Sequence, residues 1–181
     1  RVGSSSPETT TIADSKPLEH FTLMERSGER FRSESLESQV WVASFFFISC
    51  PHECVRQNLK IKELVERYGP QGVKFVSITC DPERDTPLKL AEYADRFGAD
   101  DQRWLFLTGN LSYIQQVGDD ILKVSVTPNT HSQKLILVDR AGKVHGYFHW
   151  NDSEQMTLFH REVDKLLAES SADPALNETD P

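Results

Sequence analysis

Two cysteines lie directly between a long apolar segment and the pattern of an amphipathic helix. The apolar segment runs from Val40 to Ile48 and is typical of a central strand that is covered on both faces. Cys50 follows it at once, and apolar positions spaced by three and four residues then predict a helix from Cys54 to Tyr68. This order restricts the chain to folds in which a buried strand delivers two thiols to the start of a helix.

The rest of the chain continues the alternation of strands and helices. A turn at Ser27 to Glu29 predicts an opening hairpin, and Thr86 with Pro87 suits the first residues of a helix. Asn110 suits the start of a further short helix. The other predicted elements are strands at Val73 to Thr79, Trp104 to Leu107, Leu135 to Val138 and Lys143 to Phe148, and a last helix around Met156 to Leu166.

A βαβ half followed by a ββα half predicts an α/β protein with a thioredoxin-like fold. We expect a central mixed β-sheet flanked by helices, with an N-terminal hairpin and a peroxiredoxin-like insertion around Trp104 to Val117. One domain is expected over residues 17–167, with disordered tails at 1–16 and 168–181 because these segments lack apolar periodicity.

Composition excludes several functional classes. Lys and Arg number 20 against 28 Asp and Glu, a net charge of −8 without a long basic cluster, so nucleic acid is not expected as a partner. No apolar run is long enough to span a membrane. The chain begins with Arg1 rather than Met, so we expect a missing N-terminal piece, which would be a signal or a membrane anchor. A monomer is expected.

The spacing of Cys50 and Cys54 points to redox or metal chemistry. Residues four apart lie on one face of a helix, so both sulfurs can face one ion or each other. The partial positive charge at a helix N-terminus is expected to lower the pKa of the thiols and to favour the thiolate. The alternative, two unrelated buried thiols, is weaker because the pair lies at the strand-to-helix junction.

Two thiolates alone leave most metal ions under-coordinated, so a third ligand is needed from elsewhere in the chain. His131 is the preferred candidate, because its loop precedes the strand at Leu135 and in this topology lies beside the cysteine-bearing helix end. His52 is more readily explained as a solvated turn residue. Two sulfurs and one imidazole favour Cu(I), whereas structural zinc would need a fourth protein ligand. The other histidines are interpreted as surface, helix or strand residues: His20, His145, His149 and His160.

The third cysteine and the loop that follows it have structural interpretations first. Cys80 ends a buried strand and is expected to be an inert core thiol, with exchange with the cysteine pair as a minor alternative. The segment Asp81 to Pro87 is interpreted as a rigid entry to the next helix, with a partner-facing role as the alternative.

These segments resemble the Sco (synthesis of cytochrome c oxidase, or SenC) family of copper chaperones. Phe45 to Cys54 is similar to the apolar strand and Cys-Pro-x-x-Cys segment of that family, and Ser77 to Pro87 closely resembles its second signature. His131 with Ser132 resembles the segment that carries the family's ligand histidine. The resemblance covers about residues 17–167.

The resemblance implies a thioredoxin-like fold and one copper ion, as Cu(I) or Cu(II), bound by Cys50, Cys54 and His131. It implies a membrane-anchored, extracytoplasmic location, on the periplasmic side or in the mitochondrial intermembrane space. The implied partners are the copper-site subunit of cytochrome c oxidase, in which CuA would be matured, or another copper chaperone.

Two functions use the same residues. A metallochaperone would hold copper and release it to the thiolates of a partner. A thiol-disulfide oxidoreductase would instead use Cys50 and Cys54 as a catalytic redox pair, with Cys50 attacking a partner disulfide. Copper binding should require His131, whereas dithiol exchange should not. A peroxidase is disfavoured because Phe47 occupies the position where peroxiredoxin-like sites carry Thr.

Overall fold

Seven strands form one mixed sheet in the computed structural model, which describes residues 19–100, 102–128 and 133–169. The strand order is β2-β1-β5-β4-β3-β6-β7, in which β4 pairs in parallel with β3 and β5, and the other pairs are antiparallel. The strands are β1 (Thr22–Glu25), β2 (Arg30–Arg32), β3 (Trp41–Phe46), β4 (Lys74–Thr79), β5 (Trp104–Thr108), β6 (Lys134–Val138) and β7 (Val144–His149).

Four α-helices connect or follow these strands. They are α1 (Glu53–Tyr68), α2 (Pro87–Asp95), α3 (Leu111–Val117) and α4 (Ser153–Glu169), and short 3₁₀ turns occur at Ser33–Leu36 and Gly69–Gln71. The predicted starts are confirmed for α2, with Pro87 in its first turn, and for α3, where the Asn110 side chain accepts a hydrogen bond from the Tyr113 N–H. The predicted mixed sheet, its N-terminal hairpin and the β5–α3 insertion are all present.

One helix layer is held together by aromatic contacts. Tyr93 of α2 stacks on Phe46 of β3, with ring centroids 5.5 Å apart, and Tyr68 of α1 meets Phe159 of α4 edge to face at 6.4 Å. Because Asn58 of α1 also donates to the Tyr93 hydroxyl, α1 contacts both α2 and α4. Each such buried aromatic side chain stabilises the fold by about 1.5–3 kcal/mol.

The sheet topology brings several loops to one edge. β3 and β4 are parallel, so the chain leaves both strands at the same edge. β6 is antiparallel to β3 and therefore begins at this same edge. His149, at the end of β7, pairs with Lys134 at the start of β6 and so lies at this edge as well. In open α/β sheets this edge is where ligand sites form.

Two local features differ from the sequence prediction. β3 ends at Phe46 rather than Ile48, because the chain turns out of the sheet before the cysteines. A π-helical turn at Gly118–Leu122 follows α3 and ends at Lys123, whose φ of 55° lies in the left-handed region. No helix within the described ranges is both long and apolar enough to cross a membrane.

Candidate metal and thiol site

The cysteine pair lies at the N-terminal end of α1. The helix begins at Glu53, so Cys54 lies in its first turn and Cys50 lies just before it. The N–H of Cys54 donates to Sγ of Cys50, with an N···S distance of 3.1 Å. Because the first N–H groups of a helix have no partner within the helix, the Cys50 sulfur acts as an N-terminal cap. Both residues are in the thiol form.

Both sulfurs are shielded from solvent, although the residues between them are not. Cys50 and Cys54 are each 2% exposed, whereas Pro51 and His52 are exposed. Burial raises the pKa of the Cys54 thiol, and a hydrogen bond from the Phe47 backbone acts in the opposite direction. The expected lowering of the pKa is therefore wrong for Cys54, because burial outweighs the effect of the helix N-terminus.

Cys80 lies close to the pair, directly after β4, the strand that neighbours β3. It is 1% exposed, as predicted for a core thiol, and its N–H donates to the Phe46 carbonyl at 2.8 Å. A charge on Cys80 would raise the pKa of Cys54 further, so the two thiols interact electrostatically. Cys80 also borders an open cavity of about 510 Å³, together with Phe45 and His149.

The loop after β4 contains two buried acidic residues. Asp81 is 7% exposed and forms an ion pair with Arg84, in which Oδ2 of Asp81 lies 2.7 Å from Nε of Arg84. Asp85 is 2% exposed, and its Oδ2 atom accepts hydrogen bonds from the Thr79 hydroxyl at 2.5 Å and from the Ile48 N–H at 3.1 Å. Burial raises the pKa of Asp85, and both hydrogen bonds act against that shift.

Sequence analysis did not identify Asn58 and Tyr93, which lie behind the cysteines. Asn58 follows Cys54 by four residues and is fully buried, and its Nδ2 atom donates to the Tyr93 hydroxyl at 3.1 Å. Burial raises the pKa of Tyr93 to about 12, and the nearby Cys54 and Cys50 contribute in the same direction. Asn58 is a polar residue on the apolar face of α1, and this was the sequence signal that could have identified the contact.

The described histidines have different surroundings. His52 occupies the N-cap position of α1 without a side-chain capping bond, and His20 is exposed. His145 Nε2 lies 3.0 Å from a Glu162 carboxylate oxygen, whereas His149 borders the open cavity. His160 Nδ1 lies 2.8 Å from the Tyr68 hydroxyl, and burial lowers the pKa of this histidine.

His131, the predicted third ligand, lies outside the described residues. Thr127 and Gln133, the cavity-lining residues that come before and after it in the sequence, both lie at the edge that carries the cysteines. Among residues 19–100, 102–128 and 133–169, no three His, Cys, Asp or Glu side chains are grouped closely enough to hold a metal ion.

Known proteins are similar to this chain in sequence. The SCO1/SenC family model matches residues 9–167. An SCO2-like protein of Rickettsia conorii is 34% identical over 155 residues, covering 78% of this chain and 74% of the relative.

Two solved structures extend the similarity to the fold. BsSco, a member of the Sco family of cytochrome c oxidase assembly proteins in which a disulfide switch was identified, is 25% identical, with a TM-score of 0.71 over 82% of this chain and 92% of BsSco. Yeast Sco1 with copper bound is 24% identical, with a TM-score of 0.67 over 86% of this chain and 90% of that one, which is a likeness of fold. The predicted thioredoxin-like fold is confirmed.

Proposed function

Because this chain belongs to the SCO1/SenC family, we propose that it binds one copper ion through Cys50, Cys54 and His131 and delivers it during cytochrome c oxidase assembly. The observation that carries the proposal is the cysteine geometry: the Cys54 N–H donates to the Cys50 sulfur at 3.1 Å, which keeps both thiols at the same helix end. Copper is the cargo in this function rather than a resident cofactor.

The ligand chemistry favours copper over other ions. Two soft thiolates and one imidazole suit Cu(I) in a three-coordinate site, and the family resemblance extends this set to Cu(II). Closed structural zinc would need four protein ligands, one more than this set supplies. Copper bound to yeast Sco1, which has the same fold, supports this assignment.

The position of His131 in the sequence supports its choice as the third ligand. It precedes Gln133 by two residues, and consecutive Cα atoms are about 3.8 Å apart. Gln133 and Cys80 border the same cavity. The residue two positions after His131 therefore lies at the edge of the sheet that carries the cysteines.

Release of copper requires a movement near the pair. Both cysteines are 2% exposed, so thiolates of a partner would reach the sulfurs only after a shift of the turn that contains Pro51 and His52. A covered site of this kind protects Cu(I) from solvent and makes transfer dependent on partner docking.

A thiol-disulfide oxidoreductase is the second candidate. It is favoured by the similarity to BsSco, in which a disulfide switch was identified, because Cys50 and Cys54 would form such a disulfide here. In that function Cys50 would attack a partner disulfide and Cys54 would resolve the mixed disulfide. The buried Cys54 thiol, whose pKa is raised, suits the second role better than the first.

The partner and the location complete the proposal. The copper-site subunit of cytochrome c oxidase or another copper chaperone would exchange ligands with Cys50 and Cys54. This exchange would take place on the extracytoplasmic side of a membrane to which the chain is anchored, which the family resemblance supports, and the chain would act as a monomer.

An anaerobic Cu(I) competition titration of the reduced protein tests the proposal. We expect one tight equivalent, which Cys50→Ser, Cys54→Ser and His131→Ala each weaken by more than about 100-fold, beyond the usual loss of a supporting residue. His149→Ala is the matched control because His149 borders the same cavity, and it should leave the affinity unchanged.

The same variants separate the two candidate functions. If Cys50→Ser and Cys54→Ser abolish binding but His131→Ala does not, the three-ligand site is refuted. Weak binding by the unsubstituted protein, together with a readily reversible Cys50–Cys54 disulfide, would instead support the oxidoreductase.

A further inference from the structure

A buried carboxylate joins the two loops that leave β3 and β4. Oδ2 of Asp85 accepts the Ile48 N–H at 3.1 Å and the Thr79 hydroxyl at 2.5 Å. The Thr79 hydroxyl oxygen in turn accepts the Asp81 N–H at 3.0 Å, and the Asp85 N–H donates to the Asp81 carbonyl at 2.9 Å. The bond from Ile48 connects the cysteine loop to the loop after β4, and the other three hold Asp85 in place within that second loop.

At the end of β3, a hydrogen bond to the Asp85 side chain takes the place of the next backbone hydrogen bond between β3 and β4. The parallel pairing runs to Phe46, which lies opposite Thr79, and the Cys80 N–H donates to the Phe46 carbonyl. Two residues later the Ile48 N–H is bonded to the Asp85 carboxylate instead of a strand carbonyl. The direction in which the chain leaves the sheet toward Cys50 is therefore fixed by this carboxylate.

The same turn contacts both cysteines. The backbone of Phe47 hydrogen-bonds to the Cys54 sulfur, and the Phe47 carbonyl accepts the Cys50 N–H at 3.3 Å. The peptide group between Phe47 and Ile48 thus bonds Asp85 through its N–H and Cys50 through its carbonyl, and the backbone of Phe47 also contacts the Cys54 sulfur. A change in its orientation would move the groups that contact both cysteines.

We propose that Asp85 is a positioning residue that holds the Phe47–Cys50 turn and thereby sets the Cu(I) affinity and the dithiol–disulfide equilibrium of Cys50 and Cys54. The copper part rests on the proposed function, whereas the disulfide part needs no copper. Asp85 acts through the Ile48 N–H, so the shape of its side chain matters more than its charge. Asn can place one oxygen where Oδ2 lies and accept both hydrogen bonds, but Ala cannot.

Four variants test the proposal in the copper-free and copper-loaded protein. Asp85→Ala should weaken Cu(I) binding by about 10–100-fold, as loss of a group that orients ligands usually does. It should speed hydrogen exchange of the Ile48 amide and shift the dithiol–disulfide equilibrium about tenfold toward the disulfide, which corresponds to about 30 mV. Asp85→Asn should stay within about threefold of the unsubstituted protein in each measurement.

Val163→Ala is the control for simple destabilisation, because Val163 is fully buried in α4. It should change neither the equilibrium nor the Ile48 exchange under native conditions. Thr79→Val removes one donor to the same carboxylate and should move the equilibrium in the same direction as Asp85→Ala, so the test stands if the Ala variant does not fold.

Three results would overturn the inference. The first is a dithiol–disulfide equilibrium of Asp85→Ala that equals that of Val163→Ala. The second is an equilibrium of Asp85→Asn that equals that of Asp85→Ala. The third is an equilibrium that Thr79→Val leaves unchanged. Failure of the unsubstituted protein to bind Cu(I) would refute the proposed function alone, since the copper-free measurements would still decide the role of Asp85.

Discussion

The two halves of β3 have different surroundings. Trp41–Ala43 is paired on both sides, with Lys74–Val76 of β4 and with Ile136–Val138 of β6. Ser44–Phe46 continues the pairing with Ser77–Thr79 of β4, but the ladder to β6 has ended within the described residues. One half of the strand is therefore built into the sheet, and the other half borders an open cavity and leads into the cysteines.

Buried polar groups also distinguish the two halves. The paired half carries Trp41, Val42 and Ala43, all buried. The open half begins with a buried hydroxyl pair, Ser44 and Ser77, whose oxygens lie 3.0 Å apart, and the Asp85 carboxylate lies beyond its end. Because buried polar groups are costly without partners, this end of the sheet keeps its shape through hydrogen bonds as well as packing.

The largest expected effect is a loss of stability in the paired half. Leu137 is fully buried and lies opposite Val42, so Leu137→Ala should lower the free energy of unfolding by about 2–5 kcal/mol. Urea denaturation measures this loss, and Cu(I) affinity should be unchanged while the protein is folded. Leu137→Met is the control and should cost less than about 1.5 kcal/mol. Weakened copper binding in folded Leu137→Ala would show that packing in the paired half of β3 affects the cysteine site at the other end.

An intermediate effect is expected at the wall of the cavity. A Cβ atom at Gly118 would lie 2.6 Å from Cγ2 of Val126 and 2.7 Å from the Val124 carbonyl oxygen. Gly118→Ala should therefore destabilise the protein by about 1–3 kcal/mol, which thermal or urea unfolding would measure. Adding Val126→Ala relieves only the contact with the side chain, so recovery should be partial. Full recovery would mean that the Val124 backbone moves freely.

Sequence patterns were sufficient for the scaffold and for the cysteine pair. The continuous apolar segment that contains β3 and the 3.6-residue periodicity of α1 are local signals. As predicted, Cys50 lies between them and Cys54 lies at the start of the helix. The alternation of elements then gave the mixed sheet. His131 remains a prediction, because it lies outside the described residues.

The contacts that depend on tertiary structure could not be predicted. The bond between Asp85 and Ile48 joins residues 37 positions apart, and it follows from the parallel register of β3 and β4 rather than from any local pattern. The pKa of Cys54 was predicted in the wrong direction for a similar reason. A sequence shows that a thiol lies at a helix N-terminus, but not that the surrounding chain buries it.

The smallest expected effect is a pH dependence that separates the charge of Asp85 from its shape. Burial raises the pKa of Asp85 in the folded protein above its ordinary value. Such a carboxyl group favours folding most below its unfolded pKa, and this contribution is lost as the pH rises through the folded pKa. Asp85→Asn has no such titration.

Urea unfolding of both proteins at pH 7, 5 and about 4 should therefore show Asp85→Asn gaining stability relative to the unsubstituted protein toward neutral pH, and losing that gain in acid. Glu37→Gln removes the same charge from an exposed position and reports the part that is due to net charge. A difference that grows in acid instead would mean that the hydrogen bonds from Thr79 and Ile48 stabilise the carboxylate more than burial destabilises it. In that case the open end of the sheet would depend on the charge of Asp85, and the distinction between shape and charge would fail.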